Sequence, residues 1–484
     1  MCSSGPSFRR TQAIIKVDKT HKRLGTWEFY KGALAIALPI MLQQLIQNLV
    51  SLIDNFMVSG LGDICMSGVN IANQVILVFI IFWNTICMSG GIYLTQYFGA
   101  KNSVGMQQAF KFKLVAGLLS LIPFFIVCIC IPRQVLSLMV VGNTDAAAIL
   151  DQGVAYMRII FFMGPPMVFS LCIATSLRDT AKVKAPLYIS VFATLVNTFF
   201  NWMLIYGHLG APRLEVRGAA IATVIARSVE LIIYLVFLAY EKPNFAFKPS
   251  KILEVDWPLF GEIFKKSSMV LISEMVWILS ETITTALYNG RGGADVVSGM
   301  AAGFAIANLF FVAFGGATTA TSVIIGKSLG AGMLDEARQQ KEWLLTGSII
   351  LGFITMLVAF ASTGLIPIVF GRLSPEARQI TFRLVILIGS FMIPWVYLVC
   401  QLAVSRAGGD TAMGAFVDAT VTLFVTLPII FALAKFTNIG PLGLYLAVRI
   451  IDAVKIAAFN WWLNKERWVR NLAEDTVTVG GKAK

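Results

Sequence analysis

Three carboxylates fall inside stretches of chain that otherwise carry almost no charge. Asp54 closes the run Pro39-Ile-Met-Leu-Gln-Gln-Leu-Ile-Gln-Asn-Leu-Val-Ser-Leu-Ile-Asp, and Gln47 precedes it by seven residues. Seven residues are two helical turns, so both side chains share a face, with Gln43 and Gln44 about one turn further along. Pro39 removes a backbone donor and predicts a bend there. Glu274 and Glu281 repeat the seven-residue spacing in a second such stretch. A carboxylate near mid-membrane costs about 3 kcal/mol on insertion scales, which makes each a candidate functional group. Burial favours the neutral acid and a nearby cation favours the carboxylate, so such a group can take up a proton or an ion. The plainer alternative is a headgroup-level residue: for Asp54 if its helix stops at Ser59, and for Glu281 because it lies towards Tyr288. Asp418 is a weaker candidate, expected at headgroup level. Arg227 with Glu230, and Arg449 with Asp452 and Lys455, stand three residues apart, a spacing that predicts neutralising pairs on one helix face.

The elements that position these groups are hydrophobic. Of 484 residues, 57% are hydrophobic and 13% charged, against about 45–50% and 25% in globular domains. Eight runs free of Asp, Glu, Lys and Arg, from Gly32–Ile53 to Leu384–Ser405, are each long enough to cross a hydrocarbon core. Four more, about Gly218–Tyr240, Ile263–Asn289, Met413–Phe436 and Gly440–Leu463, are apolar but interrupted by charge. Nothing alternates as porin strands would. Threading twelve spans with the basic amino terminus inside puts 27 of the 39 Lys and Arg on the cytoplasmic side and nine on the other. That bias predicts the orientation, with both termini cytoplasmic. It also accounts for the net charge of +13 without a nucleic-acid partner, for which no basic motif exists.

Other chemistries lack their residues. The seven cysteines include no CxxC pair and read as small hydrophobes. His21 and His208 stand alone, so no metal cluster, dyad or catalytic residue is expected, and no cofactor. The chain does not read as an enzyme.

A repeat runs through the chain at a lag near 230 residues. Gln96-Tyr-Phe-Gly-Ala100 returns as Lys327-Ser-Leu-Gly-Ala331, and Pro166 stands to Arg178 as Pro394 stands to Arg406. Asp179-Thr180 returns as Asp410-Thr411, Arg227 with Glu230 as Arg449 with Asp452, and Gln47 and Asp54 as Glu274 and Glu281. An even number of spans per repeat keeps both halves in one orientation, related by an axis along the membrane normal. The expected organisation is a basic segment at 1–30, an N-lobe at 31–240, a linker at 241–261, a C-lobe at 262–463 and a tail at 464–484. The fold class is therefore all-α integral membrane, twelve transmembrane helices in two six-helix bundles related by a parallel repeat.

These residues resemble the multidrug and toxic compound extrusion (MATE) family over nearly the whole chain. Pro39 and Asp54 with the intervening glutamines resemble its amino-lobe coupling site. Leu177-Arg178-Asp179-Thr180 followed by Leu195-Val196-Asn197, and Arg406-Ala-Gly-Gly-Asp410-Thr411, resemble its arginine motifs. Gly99-Ala100 and Gly330-Ala331 resemble its loop motifs. The resemblance implies a V of two lobes, a monomer, exporting organic cations and lipophilic drugs across the plasma membrane by alternating access in exchange for Na⁺ or H⁺. It places Asp54, Gln47 and Asn197 in the amino-lobe cavity, with Asn201 where many relatives carry a second Asp, and matches Glu274 to the acidic residue that some members use in helix seven; Glu281, matched to Asp54 by the repeat, joins Glu274 as an expected carboxy-lobe ion-coupling residue. Trp395 stands where some sodium-coupled members have an Asp. The alternative is a lipid-linked-precursor flippase of the same superfamily, which would need basic residues in its central cavity.

Overall fold

The computed structural model describes residues 23–474 except 141–144, 253 and 372. Cys2, His21 and most of the basic 1–30 segment, and the tail beyond Glu474, lie outside the described residues. Among those described, twelve helical spans follow in order. They are α1 (Trp27–Ser59), α2 (Asp63–Gly99), α3 (Ser103–Cys130), α4 (Ala146–Asp179), α5 (Lys184–Tyr206) and α6 (Glu215–Glu241). The second half holds α7 (Trp257–Asn289), α8 (Ala294–Gly330), α9 (Leu334–Val369), α10 (Pro375–Ser390 with Met392–Ala407), α11 (Met413–Phe436) and α12 (Pro441–Leu463). Ten are long and apolar enough to cross a membrane alone, and the two parts of α10 together make an eleventh. α12 falls short because Arg449, Asp452 and Lys455 sit within one window, and it therefore depends on partners from other helices.

Short polar residues start several spans. Thr26, Asn102, Asp256 and Ser374 each accept a hydrogen bond from the backbone N–H three residues on, satisfying donors that the first turn leaves open. Two of these caps move expected boundaries: α1 begins at Trp27 and α7 at Trp257, ahead of 31 and 262.

Proline explains most breaks inside the spans, because it leaves the carbonyl four residues earlier without its donor. Pro394 frees Ser390, where α10 bends by 50°. Pro165 and Pro166 free Phe161 and Phe162, which lie in the 3₁₀ turn within α4. Pro428 frees Phe424, inside the π-helical turn Thr422–Thr426 of α11. The bend expected at Pro39 does not break its helix, which is continuous from Trp27 to Ser59.

Helices α1–α6 surround one buried apolar cluster, which also takes in Leu259 and Ile263 of α7, and the second half, α7–α12, holds two more. Large apolar side chains such as Leu38, Leu42, Phe353 and Leu357 point outwards, as a lipid-facing exterior requires. The lobes meet mainly where α8 packs against α1 and α2, and where α7 packs against α2. Gly99 and Gly330 mark the closest approach. A β-carbon on Gly99 would meet the backbone carbonyl of Lys327, and one on Gly330 that of Gln96. Since Gln96 and Gly99 correspond to Lys327 and Gly330 in the repeat, this is one contact made twice across a pseudo-two-fold axis.

The end of the described chain spans the same seam. Trp468 is buried in the C-lobe cluster, while Leu472 and Ala473 are buried with the N-lobe cluster. Between them lies Gln96, fully buried. Its amide donates to the carbonyl of Ala407 at 2.8 Å and accepts from the Leu472 N–H at 2.7 Å. The lobes are thus closed against each other on the face that carries both described chain ends.

Candidate functional site

Two polar regions interrupt the apolar interior. In the N-lobe, α1 brings Asp54 against α5. Asn201 Nδ2 donates to Asp54 Oδ1 at 2.9 Å and to Asn197 Oδ1 at 3.1 Å, and Asn197 Nδ2 donates to Thr223 Oγ1 of α6 at 3.4 Å. Asn201 is buried, and its own Oδ1 has no hydrogen-bond partner. A carboxylate beside an unpartnered buried carbonyl oxygen is an acceptor-rich pocket, suited to a proton on Asp54 or to a hard cation between the oxygens. Gln47 serves a different contact two turns earlier, donating from Nε2 to Ser190 Oγ at 2.8 Å. It ties α1 to α5 without touching Asp54. Although α1 ends at Ser59, Asp54 is half-buried because α5 covers it. Arg227 of α6 holds Glu230 at 2.7 Å, the pair expected from their spacing.

Sequence reading missed Thr223 and Ser190. Thr223 is one turn before Arg227 on the same face of α6, a spacing that could have found it. Ser190 carries no such signal, because its partner lies 143 residues away.

The second region is a cavity of about 590 Å³ between the lobes, walled by α2 and α4 on one side and by α7, α8, α10, α11 and α12 on the other. Glu274 and Glu281 both line it, yet they do not form one acidic site. Arg406 binds Glu274 at 2.8 Å, and Arg449 binds Glu281 at 3.3 Å and Asp452 at 3.1 Å. Asp418 likewise lines the cavity, where Lys455 holds it at 2.8 Å. Lys455 also donates to Thr422 at 2.8 Å, so it pairs across to α11 instead of along α12 as expected. The π-helical turns of α11 carry Asp418, Thr422 and Thr426, all on the cavity wall. A widened turn changes which side chains face inward, and such turns recur at functional sites.

The cause of the pairing is electrostatic. A carboxylate or guanidinium moved out of water needs an opposite charge and filled hydrogen bonds, or it becomes strongly unfavourable. Trp395 adds an aromatic face: the Arg449 guanidinium carbon lies 4.3 Å from its ring centre and 5.0 Å from that of Tyr445. On the N-lobe wall Asp179 is held by Lys113, which is fully buried behind it, at 2.6 Å. The repeat therefore conserves place but not chemistry. Asp54 has an amide for a partner, whereas Glu281 at the corresponding position has an arginine. No group of three or more His, Cys, Asp or Glu side chains that could hold a metal ion occurs among the described residues.

The MatE family model matches residues 39–203 and 270–431, one block in each lobe. The chain belongs to the MatE family. The curated relatives of this MatE chain include the "Probable multidrug resistance protein NorM" of Thermotoga maritima, 23% identical over 440 residues, covering 87% of this chain and 89% of that one. The "Multidrug resistance protein MdtK" of Yersinia enterocolitica is 21% identical, covering 90% and 96%. Among solved structures, a mutant of the Vibrio cholerae MATE transporter VcmN superposes with a TM-score of 0.80 at 18% identity, covering 91% of this chain and 98% of that one. A MOP-superfamily transporter of Pyrococcus furiosus, described by the reverse polarity of its binding pocket, gives 0.78 at 16% identity over 94% and 99%. These likenesses establish the twelve-helix, two-lobe fold for the MatE chain.

Proposed function

We propose that this MatE chain is a secondary active multidrug efflux antiporter. It exports organic cations and lipophilic drugs from the cell in exchange for Na⁺ or H⁺, acting as a monomer in the plasma membrane with both termini cytoplasmic. The names of its relatives support drug export, and the excess of Lys and Arg on one side supports the orientation. The observation that carries the coupling is Asp54. It is the carboxylate in the N-lobe interior held by the neutral amide of Asn201 rather than by an ion pair, beside the vacant Asn201 Oδ1 acceptor.

The mechanism follows from differential binding, since an ion shifts the balance between two states only by its unequal affinity for them. With the lobes closed on the face of the chain ends, a proton or Na⁺ entering from the opposite side reaches Asp54. Neutralising Asp54 weakens its charge-assisted bond to Asn201 and so alters how α1 packs on α5. Because α1 also packs on α8, that change reaches the inter-lobe contact and favours drug release outward.

Gly99 and Gly330 allow the closed state, and rocking the lobes apart there completes the cycle. Ethidium transport in proteoliposomes with an imposed Na⁺ or proton gradient tests this reading. The account expects accumulation driven by one of the two ions, and equal movement with no gradient would contradict it.

A further inference from the structure

We propose that Cys87 and Cys172 form a redox site at the wall of the inter-lobe cavity, where a lipophilic hydroperoxide converts the two thiols into a reversible disulfide that slows transport. The chemistry at the sulfurs stands apart from the efflux reading, and its effect on transport rests on that reading.

No spacing in the sequence points to this pair, because 85 residues separate its members. The fold brings Cys87 of α2 and Cys172 of α4 together, with 3.7 Å between their sulfurs, and both are free thiols. Their settings differ. Cys87 lines the cavity, whereas Cys172 is buried behind it. Positive charge stands beside them. Thr175, also on the cavity wall, donates to the Cys172 carbonyl at 3.2 Å and accepts from Lys113 Nζ at 3.3 Å. A cavity-facing thiol near an ammonium, with a second thiol in reach, is the arrangement of redox-responsive cysteines.

The reaction takes two steps. Cys87 Sγ, as thiolate, attacks the terminal peroxide oxygen; the O–O bond breaks, the alkoxide leaves and takes a proton, and Cys87 becomes a sulfenic acid. Cys172 Sγ then attacks that sulfur, and the hydroxyl leaves as water with the Cys172 proton. Two thiols are oxidised by two electrons in all, and one hydroperoxide is reduced to one alcohol and one water. Closing the bond shortens the sulfur separation to about 2.05 Å, so α2 and α4 must shift. They have little room, since a β-carbon on Gly91 of α2 would already meet the Asp179 carboxylate of α4. Because α2 also carries the Gly99 crossing, the shift reaches the contact between the lobes.

The test treats the full-length protein in proteoliposomes with cumene hydroperoxide, removes the excess, and then reads peptide masses and ethidium transport. In the wild type a peptide pair joined through Cys87 and Cys172 is expected, with transport lowered several-fold and restored by dithiothreitol. Cys172→Ser, which removes the thiol behind the wall, is expected to transport as the wild type does before treatment and to keep that rate after it. Cys172→Ala is read the same way if the serine variant does not reach the membrane. Absence of the joined peptides in the treated wild type overturns the inference. Inhibition that persists in Cys172→Ser also overturns it, because another oxidised residue is then responsible. A bridge that forms while transport is unchanged overturns the effect on transport and leaves the efflux reading standing. A wild type that carries no ethidium before treatment overturns the efflux reading, while the joined peptides still decide the site.

Discussion

At the scale of single residues, charge decides what each buried group can do. Asp54 is held by an amide, while Glu274, Glu281 and Asp418 are each held by a cation. A measurable consequence concerns Lys455, whose side chain is 10% exposed. Replacing it by Met strands Asp418, and losing one partner of a buried pair costs about 3–5 kcal/mol. Lys455→Met should therefore lower the thermal unfolding temperature in detergent markedly, whereas the double variant with Asp418→Leu should recover most of the loss. No recovery in the double variant would show that Lys455 is needed for something other than neutralising Asp418.

These residue-scale facts were only partly legible in the sequence. Asp54 stood out because a lone acid on a polar stripe is expensive, and Arg227 with Glu230 because both lie on one helix. The pairs Arg406 with Glu274 and Arg449 with Glu281 were not legible, since helical periodicity relates residues a turn apart and these partners lie 132 and 168 residues apart. Glu274 and Glu281 accordingly read as free acids, when each has a counter-charge brought in by another helix.

At the scale of elements, α2 and α8 carry the contact on which the closed state depends. The Gly-Ala repeats were visible as a pattern. Their reason is the crossing itself, where a side chain on either glycine would strike the opposing backbone. Gly330→Val should prevent this approach and shift the protein towards a state open on the face of the chain ends. Modification of a cysteine introduced at Ser322, on the cavity wall, by a membrane-impermeant thiol reagent added from that face reports the shift. Labelling should rise several-fold over the same cysteine in the Gly330 background, and unchanged labelling would mean that the crossing does not seal the cavity. Breaks in α4, α10 and α11 were equally foreseeable from proline, but the π-helical turn at Met413–Asp418 was not. It has no proline of its own, and it packs against α7 and α12.

At the scale of the whole molecule, two bundles of like orientation meet along a seam that holds a cavity whose lining acids are each paired with a cation. In the N-lobe Asp54 is held by an amide rather than by an ion pair. Composition, span count and repeat were sufficient for the architecture, because hydrocarbon imposes helices of a set length and because duplication leaves its pattern at fixed spacing. The segment from Trp468 to Ala473 escaped that reading. Its apolar residues are too few to signal a span, and only the folded seam gives them somewhere to go.

The central claim is that occupancy of Asp54 drives export. Its most direct test is ethidium efflux from intact cells and gradient-driven transport in proteoliposomes, comparing wild type with Asp54→Asn at matched membrane expression. The account predicts that Asp54→Asn, which keeps the shape and loses the titratable charge, abolishes gradient-driven transport while the protein still inserts and folds. Transport retained in full by Asp54→Asn would contradict it.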